Sequence, residues 1–317
     1  MKLRIDKSIK EPISGSLKEF ERGFYRNMSS KIPLLNIITR YVLKSRSNEL
    51  HTVLLFLISK LVGKINSNTH VAASLVRLLH VATLVHDDVL DKNEISTTRN
   101  SISKLWKSKI AVLMGDYLLA KGLQVSVTND SYELLQTFSH AVELRSVGNL
   151  IKENNLNGDI SEHEYIEIIS NQIGHLYSSI TFCGAQTVTN DAKLLENLKD
   201  FGRNFGIAIK LRKDILDFEP KFSNGKITAN NLRYKQHSLP LVHALAIKNK
   251  YTDKAQNKKD SSEIISLVNQ CNSLEYTYSK LQDYIEIANQ NLDSFPDNAA
   301  KNSLIQLSNS ISLFNTQ

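Results

Sequence analysis

Apolar positions recur at three- and four-residue intervals along almost the whole chain. Leu54, Leu57, Ile58 and Leu61 form one such run, and Ile264, Ile265, Leu267 and Val268 another. That spacing puts apolar side chains on one face of a helix and predicts helices rather than strands. A long apolar run, Val71 to Leu90, ends in the polar sequence His86-Asp87-Asp88-Val89-Leu90-Asp91, and a second, Ile110–Ala120, follows a polar stretch. The segments Lys44–Asn48, Lys92–Asn100, Thr128–Ser131, Lys152–Gly158, Pro220–His237 and Thr252–Ser261 read as loops. No repeat, low-complexity linker or shift in composition divides the chain. The expectation is an all-α protein, one helical domain over residues 1–317.

Composition sharpens this picture only a little. The 12 Gly and 5 Pro leave few tight turns in 317 residues. The start, Met1-Lys2-Leu3-Arg4, lacks the apolar stretch of a signal peptide, and Val53–Val62 is too short to span a bilayer. A cytoplasmic protein with no integral membrane segment is expected. Cys183 and Cys271 read as ordinary buried thiols, with a disulfide between them allowed but not required. The net charge of +7 suits nucleic acid, a membrane surface or a polyanionic small molecule. No zinc-ligand spacing, basic arm or base-stacking pattern supports nucleic acid, which leaves diphosphate as the anion of interest.

The acidic end of the Val71–Leu90 run carries the clearest chemistry. On a helix Asp87 and Asp91 are four residues apart and share a face, with His80 and Leu84 on the same stripe. Carboxylates beside a buried apolar run are costly unless a cation or solvent holds them. Asp87, Asp88 and Asp91 are therefore candidates for the catalytic cluster, and Asp87 and Asp91 for Mg2+ ligands. That ion commonly binds through one or two carboxylates together with substrate phosphates. A solvated helix end is the competing explanation for the same residues.

A second helical run, Phe205–Asp217, also ends in acids. Lys210, Asp214 and Asp217 share a face, and Lys213 lies one turn before Asp217. Plain ion pairs at four-residue spacing, Lys210 with Asp214 or Lys213 with Asp217, account for this pattern as readily as a metal site at Asp214 and Asp217 does.

Taken together, Leu84–Asp91, the stretch Leu105–Gly122 around Gly115-Asp116, Phe205–Asp217 and Ser238-Leu239-Pro240-Leu241 make the chain resemble the trans-polyprenyl diphosphate synthases over nearly its whole length. The resemblance implies the isoprenoid synthase fold, a single helical bundle around a deep central cavity, usually as a homodimer. It implies Mg2+-assisted ionisation of an allylic prenyl diphosphate and joining of the cation to isopentenyl diphosphate.

The departures from the family are as informative. The family grips isopentenyl diphosphate with cations at positions matching Asn48, His51 and Thr97, and with a residue matching His80; only His80 fits. Arg99 lies close to the altered pair Ser96-Thr97, so His51 and Arg99 are candidate replacement contacts. On the allylic side Lys213 stands where an Asp is expected, Lys210 where a Gln is, and Gln172 and Gln236 replace lysines, while Lys226 is retained. Lys152 replaces a Gln and Arg77 a Glu. Lys213 either places an ammonium beside the leaving group or neutralises Asp217. Ala82 and Thr83, small where short-chain relatives carry aromatics, leave room for a long prenyl tail, and Ala111, Leu113 and Met114 line the same space.

Loss of three cationic contacts, each about 1.5–3 kcal/mol, weakens isopentenyl diphosphate binding by several decades. The leading expectation is therefore a terpene synthase on the prenyl-synthase fold. Such an enzyme ionises a prenyl diphosphate, then cyclises or quenches the cation and releases diphosphate. The alternatives are a working trans-polyprenyl diphosphate synthase and a non-catalytic subunit of a heteromeric prenyl synthase. The expected partner is a second copy or a prenyl-synthase homologue.

Overall fold

The computed structural model describes residues 5–46, 49–90, 102–154, 160–218, 238–249 and 261–312. Asp91, Arg99 and Lys226, with Asn48, Thr97 and Gln236, lie outside the described residues, as do the side chains of Asp88 and Lys152. Among the described residues there is no strand. The elements are α1 (Lys7–Lys10), α2 (Ser14–Asn27), α3 (Pro33–Arg46), α4 (Glu49–Val62), α5 (Ser67–Leu90), α6 (Ile102–Thr128), α7 (Tyr132–Asn154), α8 (Glu162–Ile169), a π-helical turn (Ser170–Gly174) and α9 (His175–Gln186). There follow α10 (Ala192–Phe218), α11 (Leu239–Asn249), α12 (Ser261–Gln270), α13 (Ser273–Gln290) and α14 (Ala299–Asn309).

Helix starts follow from local chemistry. Asn66 caps α5: its Oδ1 accepts from Thr69 N at 3.1 Å, and its own N donates back to Thr69 Oγ1 at 3.3 Å. Ser161 and Glu164 make the equivalent reciprocal cap on α8. The turn expected at Thr128–Ser131 separates α6 from α7, with Asp130 at φ 51°. Two expected loops begin later than read: α3 continues through Lys44 to Arg46, and α7 through Lys152 to Asn154. In each case polar residues of the sequence occupy the last helical turn.

The core is built on α4, which is apolar around most of its circumference and therefore surrounded. Leu50 through Ser59 are all buried. The Ser59 hydroxyl is satisfied by donating to the carbonyls of Leu55 at 3.0 Å and Gly184 at 2.7 Å, which ties α4 to α9. Helix α5 lies against α4 and α6, and α10 runs between α9 and α13. The two acidic runs, at Asp87 and at Asp214 to Asp217, stand at the C-terminal ends of α5 and α10.

In α6 the stretch Ser108–Thr128 is long and apolar enough to cross a membrane, with mean hydropathy 1.3. Its inner residues Ala111, Met114 and Leu118 are buried, whereas Val112, Leu113, Leu119, Leu123 and Val127 are exposed. Leu113, expected to line the cavity, is instead 59% exposed on the outer face, because its neighbours Ala111 and Met114 take the inward positions. Arg77 is likewise removed from the site. It is buried, paired with Glu21 at 2.5 Å and stacked 4.5 Å from the ring centre of Phe24, joining α5 to α2.

Two glycines on this scaffold respond oppositely to a methyl group. A Cβ at Gly202 of α10 would collide with Thr181 and fall 2.8 Å from Ser178 Cα on α9, while one at Gly23 of α2 meets nothing within 4 Å. Gly202→Ala is expected to destabilise by about 1–3 kcal/mol and Gly23→Ala to stabilise by about 0.5–1 kcal/mol, both measured by denaturant unfolding.

Candidate active site

One wall of the site is neutral and buried. His51 on α4 packs edge to face on His80 of α5, ring centres 3.9 Å apart, and Tyr177 of α9 lies 5.0 Å from His51. Burial, reinforced by the Arg145 guanidinium, pushes His51 down to about 3. Burial lowers His80 well below its ordinary value too, followed by His51 and then Arg145. Both imidazoles are therefore uncharged at neutral pH. Nδ1 of His80 is buried without a hydrogen-bond partner. Thr83, one turn on, donates to the His80 carbonyl at 2.8 Å, and Ala82 is buried.

Across from this wall stands Arg145 on α7, a residue the sequence reading passed over. Its Nη2 donates to Asp87 Oδ2 at 2.6 Å. Its Nη1 reaches only to 3.5 Å from the Gln172 carbonyl, and its Nε is buried with no partner. Gln172 sits in the π-helical turn, a distortion often found at functional sites. Arg203 of α10 holds that turn by donating from Nε to Ser170 Oγ at 3.1 Å. The Gln172 amide turns to Asn149 Oδ1, at 3.0 Å, rather than standing free.

At the second acidic run the carboxylate of Asp214 is closed in. It is 2% exposed and accepts from the Tyr165 hydroxyl, from Lys210 Nζ and from Leu239 N at 3.2 Å. Burial and the Asp214 charge together hold the Tyr165 phenol well above its ordinary value, so it stays protonated and donates. Lys210 is thus the partner of Asp214, as the four-residue spacing allowed. Lys213 is exposed and Asp217 half-buried. Near the first acidic run, His86 Nε2 lies 3.3 Å from Asp116 Oδ1, over Gly115, where a side chain would strike the imidazole.

These donor sets differ in their fitness for a divalent cation. Asp87 is 29% exposed and Arg145 engages its Oδ2, so among the described residues its half-buried carboxylate has the oxygen chemistry suited to Mg2+. Asp88 and Asp91 follow it in sequence. Both oxygens of Asp214, expected as a ligand, already accept hydrogen bonds in a buried site, so that carboxylate offers no open oxygen to a metal in this structure. The structure therefore brings together Asp87, His80 and His51 around Arg145, and separately Lys210, Asp214 and Tyr165; Lys213 joins neither group.

With this geometry in place, comparison with known proteins is decisive for the family. A polyprenyl synthetase profile matches residues 32–273. The chain belongs to the polyprenyl synthetase family. It is similar to octaprenyl diphosphate synthase of Escherichia coli K12, with 26% identity over 88% of this chain and 90% of that one. It is also similar to geranylgeranyl diphosphate synthase of Methanosarcina mazei, with 25% identity over 85% and 86%. The fold is shared with a polyprenyl synthase from Caulobacter crescentus crystallised with calcium and isoprenyl diphosphate: TM-score 0.84, 23% identity, 96% and 97% of the two chains covered. Among polyprenyl synthetases, then, this is a member with the all-α isoprenoid synthase fold expected from its sequence.

The buried histidines make stability depend on pH in one direction. The unfolded chain takes a proton on His51 near 6.5 and the folded chain only near 3, so the unfolded state binds more protons through that window. Unfolding free energy is expected to fall as pH drops from about 6.5, by about 1.4 kcal/mol per pH unit for each such histidine. Denaturant unfolding at pH 7, 6, 5 and 4 checks this, and the slope is expected to be smaller in His51→Asn.

Proposed function

We propose that this polyprenyl synthetase is a prenyl diphosphate synthase, transferring an allylic prenyl group from its diphosphate to isopentenyl diphosphate. The observation that carries the reading is a likeness extending along almost the entire chain to enzymes named for that activity, with Asp87 of the first acidic run at the rim. It displaces the terpene-synthase reading that the sequence placed first, since the relatives in hand are diphosphate synthases.

The residues divide the work as follows. Asp87, with Asp88 and Asp91, would hold Mg2+, which when bound supplies Lewis-acid stabilisation of the departing diphosphate. The apolar wall of α5, with Val81, Ala82 and Val85 buried, excludes water from the region beneath the rim. The neutral His51–His80–Tyr177 wall offers aromatic faces and one unused imidazole nitrogen beside the reacting region. Lys226 and Arg99 remain candidates for diphosphate contacts by sequence. The exposed apolar positions Leu119, Leu123 and Val127 of α6 form a face suited to a second copy of the chain.

One observation favours the second reading, ionisation without isopentenyl diphosphate. His51 and His80 are uncharged where the resemblance places the grip on that substrate's diphosphate, so they bring no formal positive charge to it. Incubation with Mg2+ and farnesyl or geranylgeranyl diphosphate, with and without isopentenyl diphosphate, separates the two. Lengthened prenyl diphosphates that require isopentenyl diphosphate are expected. Hydrocarbons or alcohols formed in its absence would favour the second reading, and unreacted substrate under all conditions would contradict both.

A further inference from the structure

Arg145 is a half-buried cation whose hydrogen bonds are incomplete. A guanidinium has five N–H donors in a flat fork matched to phosphate and carboxylate oxygens. Here Nη2 is engaged by Asp87 at 2.6 Å, Nη1 makes only a long 3.5 Å approach to the Gln172 carbonyl, and Nε has no partner. Its side chain is 18% exposed, so water has little access to make up the difference. Leaving buried donors unmet is costly, and sites that do so are commonly completed by a ligand. The neighbouring His80 is 7% exposed and also has an unmet nitrogen, Nδ1. Arg145 acts electrostatically on both His51 and His80, so the fork and the imidazole wall lie in one neighbourhood.

The charge balance of that space says what completes it. The histidines are neutral, and the Asp87 charge is spent on Arg145. An anionic head carrying several oxygens can engage the unused edge of the fork at once, and a divalent cation can take the place of the guanidinium on Asp87. We propose that Arg145 is a diphosphate-binding residue that exchanges partners: it holds Asp87 in the structure described here, and on substrate binding it turns to the diphosphate and releases Asp87 to Mg2+. This rests on the reading that the site takes prenyl diphosphates. It makes Arg145 a cation of this chain's own, in a sequence where the cations expected at positions 48, 51 and 97 are replaced. Because one guanidinium is shared, diphosphate and Mg2+ each strengthen the other's binding.

Titration calorimetry on the full chain tests this with inorganic diphosphate and Mg2+ as probes, free of turnover. In Arg145→Gln, diphosphate affinity at saturating Mg2+ is expected to fall about 10- to 100-fold, while Mg2+ affinity without diphosphate rises. Opposite movement of the two affinities is the signature, because general damage to the site weakens both. Arg145→Lys keeps the charge without the fork and is expected to lose less diphosphate affinity than Arg145→Gln; it serves alone if the glutamine variant does not fold. Diphosphate affinity unchanged within about twofold in the variant that folds, or both affinities falling together, overturns the proposal. If the wild-type chain binds no diphosphate at any Mg2+ concentration, the prenyl diphosphate reading falls as well, whereas normal wild-type binding with indifferent variants removes Arg145 alone.

Discussion

Charge that is taken from water must be met by opposite charge or by a full set of hydrogen bonds. At the rim of this bundle that constraint is met twice and in different ways. Arg145 meets Asp87 across α7 and α5 in a partly open pair, with exposures of 18% and 29%. Lys210, Tyr165 and the backbone of Leu239 meet Asp214 in a closed one, where the carboxylate is 2% exposed. Removing one partner of a closed pair leaves an uncompensated charge, at a cost of about 3–5 kcal/mol. The open pair keeps some solvent contact on both partners. Asp214 is thus engaged on both oxygens by α8, α10 and the start of α11, and Asp87 on one oxygen by α7.

The rest of the structure supplies the frame in which this difference holds. Helix α4 is buried nearly all round and fixes α5 and α9 on either side, bringing His51, His80 and Tyr177 into contact. The same burial that packs the two imidazoles removes their charge, so that wall offers shape and lone pairs instead of positive potential. The π-helical turn moves Gln172 toward Asn149 and leaves its carbonyl near Arg145. The cation beside Asp87 comes from α7, not from the α4–α5 wall.

Much of this was legible in the sequence, and the reasons for the remainder are physical. Helical spacing gave the fold class, and the His80–Asp87 stripe gave the acidic face of α5. Lys210 and Asp214, four apart on one helix, could be read as a pair, but their third partner, Tyr165, lies 49 residues from Asp214 and has no local signal. Arg145 escaped notice for the same reason. Its partner Asp87 is 58 residues away, and an arginine in the stretch Glu143–Gly148 looks like one more polar residue on a helix surface. The sequence leaves Lys213 open between a place beside the leaving group and a pair with Asp217, and its side chain is exposed. Leu113 misled, since on a helix apolar on both faces periodicity cannot say which face turns inward.

The account turns on the two carboxylates being unlike, and metal counting measures that directly. Equilibrium binding of Mn2+, a spectroscopic stand-in for Mg2+, in excess inorganic diphosphate compares the wild type with Asp87→Asn and Asp214→Asn, both nearly isosteric. Asp87→Asn is expected to lose bound Mn2+, and Asp214→Asn to retain the wild-type number. Loss of Mn2+ from Asp214→Asn with its fold intact, or full retention in Asp87→Asn, would contradict the account.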